Sequence, residues 1–341
     1  MTQWGREEDR LLLLLIGGIF IIVAIAFLPL MTVVVWATAV AVALMPFHRR
    51  LSQIVSPAAS AGFLTLWVLL GVLVVLSAVA NVIYFNIQYI GTMATSLIQG
   101  IEHTGLATFL PPLSETQLND MPHTIVQMLL QAVTPSGSNP VLTALQIVIF
   151  FLLLSMLLFY GEKIWDALMH PLPGTVQAAI GKLAEIAGNT IYSLLIIQIT
   201  AAAICFILAV PFFTFLGYGH VLLFSTMIGL AMLIPLIGAQ FFLLIFLLYM
   251  VALGDYRSAA IVALIGYPLL SGWIDFYYRP VMMGKRVAVH PVFMMIGIFA
   301  GVPFMGLVGF ILGPVLVALV VTGFKIYAEE IGNRAQPARL V

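Results

Sequence analysis

The sequence predicts an all-α polytopic membrane protein, with about six full spans plus two Gly/Pro-broken helical hairpins, roughly seven to eight membrane segments. Three observations predict it. Hydrophobic residues make up 63% of the 341 positions and charged residues only 8%, against about 25% charged in a soluble domain. Apolar runs long enough to cross a bilayer recur along the chain. All of the 13 Lys and Arg residues except Arg257 fall on one side of the membrane under a single topology.

The apolar runs are Leu11 to Leu28, Leu30 to Phe47, Gly62 to Ala80, Val141 to Tyr160, Ile191 to Leu216 and Val221 to Leu253. Backbone groups in lipid must be satisfied internally. Continuous apolar runs without period-two alternation then select helices over a barrel. Arg6 and Arg10 precede the first run, but no small-residue cleavage site follows it and Pro29 turns the chain into the second, so a retained hairpin is expected rather than a secretory signal. With the N-terminus cytoplasmic, Arg49, Arg50, Lys163, Lys182, Arg279, Lys285, Arg286, Lys325, Arg334 and Arg339 all face the cytoplasm, as the positive-inside rule requires.

Five regions follow from this layout: spans one to three at 1–82, an extracytoplasmic amphipathic helical segment at 83–140, span four with a cytoplasmic amphipathic helix at 141–190, a core with two broken hairpins at 191–324, and a cytoplasmic tail at 325–341. Between Arg50 and Lys163 there is no Lys or Arg, which places 83–140 outside. Pro111-Pro112 and Pro135-Ser136-Gly137 divide that segment into two helical pieces. Gly174 to Asn189, with Ile180, Leu183 and Ile186 on one face, reads as an interfacial helix.

Two runs are interrupted in the same way. Met227-Ile228-Gly229 leads to Pro235 and Gly238, and Met295-Ile296-Gly297 leads to Pro303 and Gly306, so both read M-I-G-x5-P-x2-G. Paired broken segments point to a transporter's binding region, because unwound backbone there can coordinate an ion or solute. One full span between them gives the pair opposite orientations. Ordinary Pro-kinked helices packed through small residues would leave the same trace.

From Gly217 onward the chain resembles the AI-2E transporter family, named for autoinducer-2 export and also called the PerM-type permeases. The residues that carry the resemblance are Gly217-Tyr218-Gly219, Ile234-Pro235-Leu236-Ile237-Gly238, Ile274-Asp275-Phe276-Tyr277-Tyr278-Arg279-Pro280, Met283-Gly284-Lys285, Val289-His290-Pro291 and the glycine-rich run from Gly306 through Gly309 to Gly313-Pro314. The likeness covers about a third of the chain in motif and most of it in layout. It implies a multi-pass transporter of the cytoplasmic membrane, homo-oligomeric, with both termini cytoplasmic. The family name comes from a few members, while others are described as sodium/proton antiporters, so autoinducer-2 is not carried over as substrate.

Asp275 is the leading candidate for chemistry. An ionisable group inside the membrane costs about 2.5–3.5 kcal/mol at mid-depth, and Arg279, four residues on, can pair with it. The pair can serve as a cation or proton site or as a structural ion pair. Gln198 and Gln240 can donate to a polar solute or to unwound backbone, although interhelical hydrogen bonds are the commoner use of such residues. Pro235, Gly238, Pro303, Gly306 and Gly309 complete the expected substrate or ion site. His220 and His290 each precede a broken run and titrate near neutral pH when unperturbed. Glu185 reads as part of a solvated face, three residues after Lys182.

Other classes lack residues. There is no G-x-x-x-x-G-K-[ST], no H-E-x-x-H and no G-x-S-x-G, and Cys205 is the single cysteine. An enzyme, a cofactor and a metal cluster are therefore not expected, and zero formal charge argues against nucleic acid. The expectation is a secondary transporter or exporter that moves a small solute by alternating access, coupled to Na+ or H+. A sodium (cation)/proton antiporter is the first alternative. A non-transporting membrane scaffold assembled through 83–140 is the second.

Overall fold

The computed structural model describes residues 15, 17, 18, 30–103, 140–234, 238–284 and 290–335. Most of the first apolar run, most of the segment expected at 83–140, Pro235, Lys285 and Arg286 thus lie outside the described residues. Every described element is a helix, and six are long and apolar enough to cross a membrane.

Helix α1 spans Met31–Leu51 and packs small residues against its neighbours. Ala41 meets Ala61, Leu64, Leu154 and Leu158 in one buried cluster, while Ala39 and Ala43 join Leu194, Ile298 and Phe310 in another. The buried His48 ring ties its end to the next helix, with Nδ1 2.9 Å from the Ser60 hydroxyl. Helix α2, Pro57–His103, is 47 residues long. At about 1.5 Å per residue it far exceeds the roughly 30 Å hydrocarbon core. Only 6% of its most apolar window is buried, so Phe63, Leu66, Trp67 and Leu70 form an exposed apolar surface. Helix α3 covers Pro140–Met169.

Helix α4 runs unbroken over Gly174–Leu216 for 43 residues. The expected interfacial helix and the following span are therefore one rod. Nothing at 174–190 interrupts the hydrogen-bond ladder, and Pro211 comes only near the end. Gly217, at φ 78°, terminates it in the left-handed conformation that glycine adopts without penalty.

The first broken run folds back on itself. Helix α5, Val221–Met232, and helix α6, Gly238–Ala252, contain 12 and 15 residues. Their lengths of about 18 and 22 Å fall short of a hydrocarbon core. Phe224 and Phe246 lie about equally far from the break, and their ring centroids are 4.6 Å apart. The two arms therefore lie side by side as a short helical hairpin. Phe213 of α4 sits fully buried against both rings.

The mouth of this hairpin is laced with polar contacts. Tyr218 donates to Asp255 Oδ2 at 2.5 Å, and Asp255 Oδ1 accepts from the Ser258 amide at 3.0 Å to cap the next helix. His220 stacks on Tyr89 of α2 and contacts Asn86 through Nδ1, while the Tyr89 and Tyr249 hydroxyls meet at 3.3 Å. The hydrogen bond from Tyr218 lowers the Asp255 pKa, while burial and that same bond raise Tyr218 to about 12. A depressed carboxyl pKa contributes stability above its unfolded value of about 3.9 and loses it as pH falls through the folded value. Tyr218 contributes below about 10 and loses that contribution as pH rises toward its folded value. Asp255→Ala should therefore lower the melting temperature at neutral pH, and the gap to wild type should close below about pH 4. A gap that stays constant between pH 7 and pH 3 would disprove the account.

Helix α7, Tyr256–Ile261, continues into three π turns, Val262–Gly266, Pro268–Gly272 and Ile274–Tyr278, and then into helix α8, Arg279–Gly284. Together they form one transmembrane rod. The final helix, α9, Pro291–Ala335, reverses at Gly306, whose φ of 59° and ψ of −142° are non-helical. Its two arms approach backbone to backbone. A Cβ built on Gly309 would lie 2.0 Å from the Gly301 carbonyl oxygen, and one on Gly313 the same distance from that of Gly297. This second hairpin is thus a G-x-x-x-G strip closed on another G-x-x-x-G strip.

Candidate functional site

The break at the tip of the first hairpin exposes a helix end. The last carbonyls of α5 have no partner within the helix. Those of Leu230 and Ala231 accept from the amides of Leu233 and Ile234. The Met232 carbonyl instead receives two side chains from elsewhere: Gln198 Nε2 at 2.5 Å from α4 and Arg279 Nη2 at 3.4 Å. A cation beside a helix C-terminus is also favoured by the helix dipole.

Arg279 in turn holds Asp275, with Nη1 2.9 Å from Oδ1, and both side chains are only 8% exposed. The other carboxylate oxygen accepts from Ser271 at 3.0 Å and from Gln240 of α6. The π turn explains the alignment. A helix bonded i→i+5 needs more than four residues per turn, so Ser271, Asp275 and Arg279 stand nearly in line. One step further around, the Tyr278 and Thr200 hydroxyls lie 2.6 Å apart, tying this rod to α4 a second time.

The electrostatic balance is incomplete. Oδ1 of Asp275 touches Arg279 as an ion pair without an aligned hydrogen bond, and Arg279 Nε is buried with no partner among the described residues. The Ser225 hydroxyl on α5 is likewise buried and unpaired there. A charge pair taken out of water stabilises only when its remaining donors and acceptors are met. Here Arg279 Nε and the Asp275 Oδ1 lone pairs are not fully met among the described residues.

The structure thus brings Gln198, Gln240, Asp275 and Arg279 to one point beside Gly238. A Cβ on Gly238 would fall 1.7 Å from the Ala231 carbonyl oxygen, so the tip closes only with glycine there. Pro235 lies outside the described residues. Pro303, Gly306 and Gly309 belong to the second hairpin, and among the described residues none of the hydrogen bonds to Asp275 or Arg279 comes from it. Gly306 turns that hairpin, and Gly309 seals it. Sequence reasoning missed Ser271 and the Met232 carbonyl. The serine was detectable at one turn before Asp275; the carbonyl left no mark.

Six helices long and apolar enough to cross a membrane, with a short hairpin held at its break by a buried ion pair, make this a polytopic helical membrane protein. The comparisons agree. The AI-2E family transporter profile matches residues 11–329, and the chain belongs to that family. It is 25% identical over 327 residues to a protein from Methanothermobacter thermautotrophicus named only for transport, covering 93% of this chain and 94% of that one. It is 26% identical over 157 residues, 46% and 47% of the two chains, to a similarly named protein from Methanocaldococcus jannaschii. A shorter likeness, 33% over 93 residues, covers 27% of this chain and 26% of a sodium-lithium/proton antiporter from Halobacillus andaensis.

Proposed function

We propose that this membrane transporter is a secondary carrier that moves a small solute by alternating access, coupled to a cation or proton gradient through Asp275. The observation that carries the reading is the buried Asp275–Arg279 pair gripping the last carbonyl of α5, where the first hairpin breaks. Loading a proton or cation on Asp275 weakens its hold on Arg279 and on the Gln240 amide. Arg279 is then free to leave the Met232 carbonyl, and the tip loses one of its two external anchors. Charge at Asp275 and position of the hairpin are linked in this way, which is what coupling requires. The Arg279 end of the rod and both termini face the cytoplasm in this reading, and the protein works as a homo-oligomer in the cytoplasmic membrane.

An antiporter that exchanges sodium or lithium for protons is the second reading, favoured by the local likeness to the Halobacillus protein. Its cation and proton would compete for the Asp275 carboxylate.

The test uses purified protein in sealed proteoliposomes under an imposed proton or sodium gradient, with lumenal pH as the readout. Wild type should dissipate the gradient when sodium or lithium is added, and Asp275→Asn should lose at least about 90% of that rate, in line with loss of an essential charge at an intramembrane site. Equal rates in both proteins would reduce the pair to a structural tie.

A further inference from the structure

Nearer the start of α4 than the contact with the hairpin tip, α1, α3 and α4 line an open cleft of about 660 Å³. Its volume lies in the range of small-molecule pockets, roughly 300–1,000 Å³. Three carboxylates line it: Glu162 and Asp166 from α3, and Glu185 from α4. Among the described residues Arg49 is the one basic residue in the wall, and its Nε is already bound to Glu162 at 2.7 Å. Asp166 and Glu185 make no ion pair or side-chain hydrogen bond among the described residues. Two negative charges therefore face the same concavity uncompensated. Glu162 and Asp166 stand four apart on one helix, a like-charge spacing that opposes helix stability.

The carboxylates do not form a metal site. No group of three or more His, Cys, Asp or Glu close enough to hold an ion occurs among the described residues. They are spread around a floor that includes the Trp165 and Tyr192 rings. Separated carboxylates, aromatic rings and room for a molecule suit one ligand chemistry. Aromatic faces attract cationic nitrogen, Trp most strongly, and a concave wall of one sign concentrates the opposite charge.

We infer that this cleft is a binding site for an organic ammonium or guanidinium cation, set apart from the Asp275 site. Its role as a cytoplasmic loading site rests on the proposed transport reading; the binding does not. The cation's charge lies between Asp166 and Glu185, and its carbon skeleton lies against Trp165.

The experiment is calorimetric titration of the purified full-length protein with tetraethylammonium chloride, with sodium chloride at equal ionic strength as the reference. Wild type should bind saturably above the sodium reference. Asp166→Asn with Glu185→Gln should weaken binding about tenfold or more, as expected for loss of two facing charges. Arg49→Gln, which releases Glu162, should tighten binding, a gain that a misfolded protein cannot produce. Asp275→Asn should still bind the cation saturably, whatever happens to its transport, because Asp275 does not line the cleft. Heats matched by sodium chloride, an unchanged affinity in the double variant, or weaker binding by Arg49→Gln would each overturn the proposal. If Asp275→Asn transports normally while the cleft variants behave as stated, the coupling reading fails and the binding site stands.

Discussion

Arg279→Met alone should destabilise the protein by roughly 3–5 kcal/mol, while Asp275→Asn combined with Arg279→Met should cost much less. The single change leaves a buried carboxylate facing Ser271 and Gln240 with no counter-charge, and it strips one donor from the Met232 carbonyl. The double change replaces two desolvated charges with an amide and a thioether of similar volume. The amide oxygen can still accept from Ser271, and Gln198 still holds Met232. Thermal melting in detergent would show the ordering. Equal losses for single and double variants would mean that the charges are solvated in the folded protein, contrary to their 8% exposure.

The second large effect belongs to the other hairpin. Gly309→Leu should abolish monodisperse protein or cost about 3 kcal/mol or more, beyond the usual range for overpacking a core. The reason is what the new side chain meets. Its Cβ would lie 2.0 Å from the Gly301 carbonyl oxygen and 2.9 Å from the Val302 nitrogen. Backbone cannot rotate away as a side chain can, so the arms must part along the whole strip. Gly62→Leu is the control, since a Cβ there meets nothing within 4 Å. Size-exclusion profiles of the two variants decide the matter. Similar profiles would show that the arms are loosely joined.

Much of this architecture can be read from residue order. Apolar length and the absence of strand periodicity specify helices, and Gly238 with Gly306 marks where two of them fold back. Hairpin length alone does not say whether the arms cross fully. The contacts of Phe224 with Phe246 and of Gly301 with Gly309 place the arms of each hairpin side by side, which residue order alone does not do. The polar residues singled out in separate runs, Gln198, Gln240, Asp275 and Arg279, were legible one at a time as groups that lipid would reject. Their meeting at one carbonyl was not legible, because it depends on how three rods are placed side by side. The π turns were equally hidden. Nothing in Pro268 to Tyr278 distinguishes an i→i+5 ladder from an ordinary kinked helix, yet that ladder lines Ser271 up with Asp275. The cleft was hidden for a related reason: Glu185 looks like any solvated acid until Asp166 appears across from it.

Helix α4 carries both sites. One face near its middle presents Gln198 to the hairpin tip, and four residues nearer its start, Glu185, Gly188, Asn189 and Tyr192, form a wall of the cleft. No break separates them within the 43 residues of that helix, about 65 Å of stiff rod. Stiffness makes it a lever. If the tip is displaced while Gln198 keeps its grip, the shaft must tilt, and the cleft wall, 6 to 13 residues away on the same helix, moves with it. By reciprocity, filling the cleft biases that tilt. Tip and cleft are then mechanically in series through one helix, with the Gln198–Met232 hydrogen bond as one link of the clutch.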